Sequence, residues 1–133
     1  MPHYFETVIQ VRDYEVDSQG IVNNAIYLHY LEHTRHLFCE NAGTSFRELQ
    51  MEGIDPVLRK VEIEYLTPLT LGDSVLSRVY LTHEGARFVF HHEMFRLPEL
   101  TPVVKGKCVI VCLENHKLTR GDILAQKFAK VIS

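Results

Sequence analysis

The sequence predicts an α+β domain: a curved antiparallel sheet of five to six strands wrapped around one long central helix. Three observations carry this. Apolar residues between Tyr27 and Phe38 recur at helical spacing. Strand-like segments then follow one another with no second strong helix. Their connections are short and carry glycine, which suits antiparallel hairpins. A chain of 133 residues reads as a single domain over 1–133, able to bury about two thirds of the surface its unfolded form exposes.

The elements follow in order. Tyr4 to Tyr14 alternates weakly and is rich in β-formers, so it reads as a strand. Asp17 to Gly20 is a turn-rich break. Tyr27, Tyr30, Leu31, Thr34, Leu37 and Phe38 then form one buried stripe, with His29, Glu32, His33, His36 and Glu40 on the opposite side. Asn24 is the expected N-cap and Gly43 the residue just past the helix end. The helix is thus about 18 residues, roughly 27 Å long. A short helix over Ser45 to Met51 precedes a turn at Gly53-Ile54-Asp55-Pro56. Strands are expected over Val57–Leu66, Ser74–His83, Ala86–Leu97 and Val103–Leu113. Asp122 to Ile132 fits either a helix or a strand extension.

Composition narrows the function classes. The hydrophobic fraction is 46%, the charged fraction 23% and the formal charge −3, ordinary for a soluble globular chain. Without clustered basic residues, nucleic acid is not the expected partner. A small anionic ligand still fits, because a few local Arg or Lys side chains can hold one. The first residues lack the basic and apolar regions of a signal peptide, and no apolar run approaches a membrane span. Cys39, Cys108 and Cys112 are an odd set at irregular spacing, read as reduced thiols at or near the core of a cytoplasmic protein.

Chemistry concentrates in Asp17-Ser18-Gln19-Gly20-Ile21-Val22-Asn23-Asn24-Ala25-Ile26-Tyr27. A carboxylate is followed by a glycine turn and then by a helix start, where backbone N–H groups lack partners. An acid beside spare donors is a kit for hydrolysing an activated carbonyl. Asp17 has a plainer reading as the first residue of an Asx-turn. Gly20 supplies either a positive φ or close substrate approach. Asn23 either orients Asp17 or closes the turn. Asn24 acts mainly through its backbone N–H while its side chain caps. Asp13 and Glu15 read as surface charge, and Glu32 as a solvated or interface residue.

Three His residues, His29, His33 and His36, share a helix face. One helix rarely offers three ligands to one ion, so they read as a polar face or subunit contact. No metal and no cofactor is expected. His91 and His92 point to opposite sides of a strand. Arg59, Lys60, Arg87 and Arg96 are candidates for an anionic ligand, since Arg pairs with phosphate through two N–H groups. Tyr27, Tyr30, Phe88 and Phe90 are core candidates that also suit a pocket wall.

The segment Asp17 to Leu28, with Glu32 and Arg35 beyond it, resembles the hotdog-fold acyl-CoA thioesterases, nearest to the 4-hydroxybenzoyl-CoA thioesterase-like group. Glu62-Ile63-Glu64-Tyr65-Leu66, Pro68-Leu69, Leu71-Gly72-Asp73 and Lys105-Gly106-Lys107 resemble later parts of the same pattern. The likeness spans roughly residues 4 to 114. It implies the sheet-around-helix fold and an acyl-CoA substrate. It also implies a homodimer joined edge to edge, often paired into a homotetramer, with active sites at the dimer interface.

The family's carboxylate falls on Asp17 and its carbonyl-polarising N–H on Asn24 or a neighbour. Gly20, Asn23, Tyr27, Arg59, Lys60 and Arg87 are the expected substrate contacts. Two departures stand out. Ile21 occupies a position where some relatives carry His, and Asn23-Asn24 replaces a Tyr-His pair found in others. Asp17 is therefore the main candidate for general base or nucleophile. The alternative is a non-catalytic hotdog protein that holds acyl-CoA or an acyl carrier protein. A dehydratase ranks last, because its usual His is absent.

Overall fold

The computed structural model of the protein describes residues 2–133. The chain runs β1 (Phe5–Gln10), a 3-10 turn (Asp13–Glu15), α1 (Asn24–Asn41), α2 (Phe46–Met51), β2 (Ile54–Tyr65), β3 (Ser74–Glu84), β4 (Arg87–Arg96), β5 (Thr101–Glu114), β6 (Lys117–Thr119) and α3 (Asp122–Lys127). The strands form one six-stranded sheet in the order β1-β3-β4-β5-β2, with β6 on β5. Every strand pair is antiparallel. This is the predicted α+β hotdog architecture, with the sheet curled around α1.

Helix α1 has 18 residues. Its cap lies one residue earlier than expected: Asn23, not Asn24, is the N-cap, and its Oδ1 accepts from Ala25 N–H at 2.9 Å. Either Asn has the chemistry for this position; the extended backbone at Asn23 decides it. At the other end Gly43 takes φ +87°, the left-handed conformation that stops the helix. The buried stripe is Tyr27, Tyr30, Leu31, Thr34 and Phe38 as predicted, with Leu37 only half-buried and Arg35 and Cys39 added. Phe38 is the centre of the core. Its ring meets Phe5, Phe90 and Phe128 edge-on at 6.4, 5.3 and 5.7 Å, so truncating it to Ala costs about 3–5 kcal/mol.

The structure shifts two of the expected boundaries and fixes the strand pairing and the last segment. Strand β1 stops at Gln10, because Glu15 Oε1 accepts from Arg12 N–H at 2.8 Å and folds the next residues into the 3-10 turn. Strand β2 begins at Ile54, so Asp55 and Pro56 belong to it. Proline fits there because β2 lies at the edge of the main strand order. The β3–β4 and β4–β5 connections are hairpins, whereas β2 and β3 lie apart, with β4 and β5 between them. The last segment forms the short helix α3, and Ile132 then bridges Leu81 in parallel.

Alternation splits each strand into two faces. Cys108, Ile110 and Cys112 of β5 are buried on the helix side, while Lys105 and Lys107 face outward. Across the outer face Glu6, Arg78, Glu93, Lys105 and Glu64 stand in register with alternating sign. Such cross-strand opposite charges suit a solvated sheet surface. The three cysteines are unpaired and buried. No helix among the described residues is long and apolar enough to cross a membrane.

Candidate active site

The Asp17 turn is a small closed unit. Asp17 N–H donates to Ile21 O at 2.9 Å, and Gly20 N–H donates to Asp17 O at 3.0 Å. Val16 pairs with Val22, and Val22 N–H reaches Leu69 O at 2.9 Å, fixing the turn beside the chain entering β3. Asp17 Oδ1 accepts from Gln19 N–H at 2.8 Å and from Ile21 N–H at 3.4 Å. This is the Asx-type arrangement. Among the described residues its second oxygen, Oδ2, has no hydrogen-bond partner. Gly20 sits at φ +84° with open space where a Cβ would be, so backbone conformation rather than crowding calls for glycine there.

Glu15 anchors this turn, and its burial corrects the expectation of surface charge. It is 6% exposed. Its carboxylate accepts from Tyr30 Oη at 2.7 Å as well as from Arg12 N–H, and Arg12 Nη1 lies 3.7 Å away. Its carbonyl accepts from Asn23 N–H at 3.2 Å. Burial and the adjoining carboxylate both push the Tyr30 phenol upward, so it stays a donor. One residue thus ties the Asp17 turn to both the cap and the middle of α1. Asp13, by contrast, is exposed.

At the helix start the donors can be accounted for one by one. Asn23 Oδ1 takes Ala25 N–H, and Asn23 O takes Ile26 N–H at 2.9 Å. Asn24 N–H has no partner among the described residues. It is the spare donor that the sequence pattern anticipates, and its side chain is exposed rather than capping. Asn24 O accepts from Tyr65 Oη at 3.2 Å. Tyr27 is buried, its Oη accepting from Leu69 N–H at 3.0 Å, and burial raises its pKa. Asn24, Tyr27, Ile21 and Tyr65 line a cavity of about 110 Å³ at this end of α1.

A second cavity, about 210 Å³, runs beside the helix from Ala25 past Leu28 and Leu31 to Arg35, against Val61, Leu58 and Cys108. Arg35 is 6% exposed. Its Nη1 donates to His92 Nε2 at 3.2 Å and to Cys108 Sγ at 3.1 Å. Because Arg only donates, His92 is the acceptor at Nε2 and carries its proton on Nδ1. That Nδ1 is buried without a partner. Burial first, then the Arg35 charge, hold the His92 pKa well below the usual value, so the ring is neutral.

The remaining candidates lie elsewhere in the single chain. Arg59, Lys60 and Arg87 gather around a cleft of about 380 Å³ with Val109, Val111 and Leu118. The cross-strand register brings Lys60 beside Val109 and Arg87 beside Val111. Lys60 also pairs with Glu62 at 3.0 Å. This cleft does not include the Asp17 turn. A wider concavity, about 680 Å³, lies on the outer sheet face around Tyr4, Tyr80, His91 and Lys105, and contains none of the expected site residues. The His36 ring packs at a tilt against Phe46, centroids 5.0 Å apart, while His29 lines the Arg35 cavity. Among the described residues, no three His, Cys, Asp or Glu side chains come together as a metal site.

Glu15, Tyr65, Arg35 and His92 are not among the site residues that the sequence points to. For Arg35 the sequence does carry a signal: position 35 lies four after Leu31 and three before Phe38, on the buried stripe. For Glu15 and Tyr65 the contacts are made across the fold and leave no local pattern.

Comparison with known proteins gives a consistent result. The sequence profile of the thioesterase-like superfamily matches residues 11–131. The chain is 34% identical over 116 residues to the chloroplastic acyl-acyl carrier protein thioesterase ATL3 of Arabidopsis thaliana, covering 86% of this chain and 61% of that protein. It thus spans about three fifths of the plant relatives it matches. It is 30% identical over 110 residues to the long-chain acyl-CoA thioesterase FadM of Escherichia coli, covering 82% of this chain and 83% of FadM. Its fold superposes on Slr0204, a 1,4-dihydroxy-2-naphthoyl-CoA thioesterase from Synechocystis, with a TM-score of 0.86, 18% identity and coverage of 96% and 93%.

Proposed function

The chain belongs to the thioesterase-like superfamily, and on that premise we propose that it hydrolyses acyl-CoA to free acid and coenzyme A in the cytoplasm. The observation that carries this reading is the unpartnered Asn24 N–H at the start of α1, reached directly from the turn that holds Asp17. The FadM likeness supports coenzyme A as the carrier. The buried, unpaired cysteines suit a reducing compartment.

Thioester hydrolysis needs an attacking oxygen, a stabilised oxyanion and a thiolate that leaves. Asn24 N–H supplies the oxyanion donor; one such donor is worth about 3–4 kcal/mol. Asp17 supplies the base through its free Oδ2, while Oδ1 stays fixed by Gln19 and Ile21. Water adds to the carbonyl as Asp17 takes its proton, and collapse of the tetrahedral intermediate breaks the C–S bond. A positioned base contributes about 10²–10⁴-fold. Direct attack by Asp17 reaches the same products through an anhydride that water opens.

Gly20, Asn23 and Tyr27 shape the turn, the cap and the wall beside the reacting carbon. Arg59, Lys60 and Arg87 receive the phosphates of coenzyme A. Strand β2 leaves one edge unpaired in the single chain. Joining two β2 edges makes the homodimer, and pairs of dimers the homotetramer, with the active sites at the dimer interface. That assembly brings the Asp17 turn and the Arg59–Arg87 cleft into one site built from two copies.

A second reading has one observation in its favour. The Asx-type bonds of Asp17 are what a purely structural Asp makes, which suits a protein that binds acyl-CoA or acyl carrier protein without hydrolysis. Thiol release from short, medium, long and aromatic acyl-CoAs separates the two. Turnover on at least one ester is expected. Tight binding of the esters by folded protein with no turnover on any of them would establish the binding protein instead.

A further inference from the structure

Arg35 is the principal electrostatic anomaly of the molecule. It is 94% buried, and among the described residues no carboxylate lies within ion-pair distance. Its contacts are a neutral imidazole and a thiol that burial keeps protonated. Neither balances a charge. A guanidinium stays protonated wherever it is placed, and a buried cation without an anion is costly. The cavity beside it is otherwise mostly apolar, built from Ala25, Leu28, Leu31, Leu58 and Val61.

The cavity also has a direction. It begins at Ala25, next to the spare Asn24 N–H, and ends at Arg35. Ten residues of helix span about 15 Å. Long side chains on a helix tend to lean back toward its start, and such a lean at Arg35 shortens the distance to its charge. An acyl chain whose carbonyl sits at Asn24 would pass Leu28 and Leu31 and reach the guanidinium at its far end.

Building on the hydrolase reading, we propose that this cavity takes a medium-length acyl group with a terminal carboxylate, whose oxygens pair with Arg35. The apolar wall accepts the methylenes and the buried cation accepts the anionic end. Arg35 then sets specificity for ω-carboxyacyl esters over plain alkyl ones.

The test compares kcat/KM for thiol release from adipyl- and suberyl-CoA with that from hexanoyl- and octanoyl-CoA. Wild type is expected to favour the carboxylated esters by about tenfold or more, as a charge-assisted bond gives. Arg35→Met is expected to reverse the preference. Equal rates in wild type overturn the proposal, as does a preference that survives Arg35→Met. Glu32 lines the same cavity; a preference absent from wild type but created by Glu32→Gln makes Glu32 the counter-ion and also overturns it. A carboxylate brought by a second copy predicts the same lack of preference in wild type.

Should Arg35→Met not fold, the wild-type panel decides alone, and Arg35→Lys is expected to keep the direction with a smaller ratio. If none of the four esters is hydrolysed, the wider panel of short, long and aromatic esters decides the hydrolase reading separately. Calorimetry with suberate against octanoate then decides the Arg35 question. Tighter suberate binding supports the proposal and equal binding overturns it.

Discussion

The Tyr30 hydroxyl donates to Glu15 Oε1 at 2.7 Å, joining the middle of α1 to the turn that carries Asp17. Both residues are buried. Tyr30→Phe leaves a buried carboxylate with one donor fewer, which costs about 1–3 kcal/mol. The melting temperature is expected to fall by several degrees, and kcat to fall more than KM changes. Unchanged melting and kcat would show that the bond holds nothing in place.

Acid destabilises this fold through His92. Its folded pKa lies well below the ordinary 6.5 because burial and Arg35 disfavour the charged ring. The unfolded chain therefore binds more protons below pH 6.5, and unfolding becomes easier as pH falls. The contribution is complete above pH 6.5. Urea unfolding at pH 7.5 and pH 5 is expected to show a lower midpoint in acid, with the difference reduced in His92→Gln. An equal difference in that variant would assign the effect to other groups.

Alkali acts through the thiols in the opposite sense. Burial pushes Cys39 from 9.0 up to about 12, so the folded chain keeps a proton that the unfolded chain loses. Stability from this group is complete below pH 9 and declines as pH rises towards 12. At neutral pH, Cys39, Cys108 and Cys112 are expected to resist a disulfide-exchange reagent in native protein and to react fully in denaturant. Rapid native reaction of any of them would contradict the burial.

The β2 edge gives a prediction about mass. Val57, Leu58 and Tyr65 on that edge strand are 40%, 45% and 46% exposed in the single chain. Light scattering is expected to give a multiple of 15.4 kDa, a dimer or a tetramer. A monomer at all micromolar concentrations would leave the proposed two-copy site without support.

Much of this architecture was legible locally. The helix announced itself because Tyr27, Tyr30, Leu31, Thr34 and Phe38 share one face, a property of neighbouring turns. Gly43 marked its end for the same reason. What escaped depends on residues distant in the chain. Strand order could not be read, since β2 and β3 follow one another yet pair with different strands. Glu15 looks like any surface carboxylate until Tyr30 and the Arg12 N–H fold over it. Strand β6, only three residues long, is too short to show a period. The Asp17 turn was legible as chemistry because acid, glycine and helix start are adjacent. Arg59, Lys60 and Arg87 meet only through cross-strand register.

The central claim is that Asp17 and the Asn24 N–H hydrolyse a thioester. Asp17→Asn tests it most directly, because the amide keeps the Oδ1 acceptor for Gln19 and Ile21 and removes only the carboxylate. Thiol release from the best acyl-CoA ester is expected to fall by about 10²–10⁴-fold with the melting temperature unchanged. Wild-type turnover in a folded Asp17→Asn protein would contradict the account.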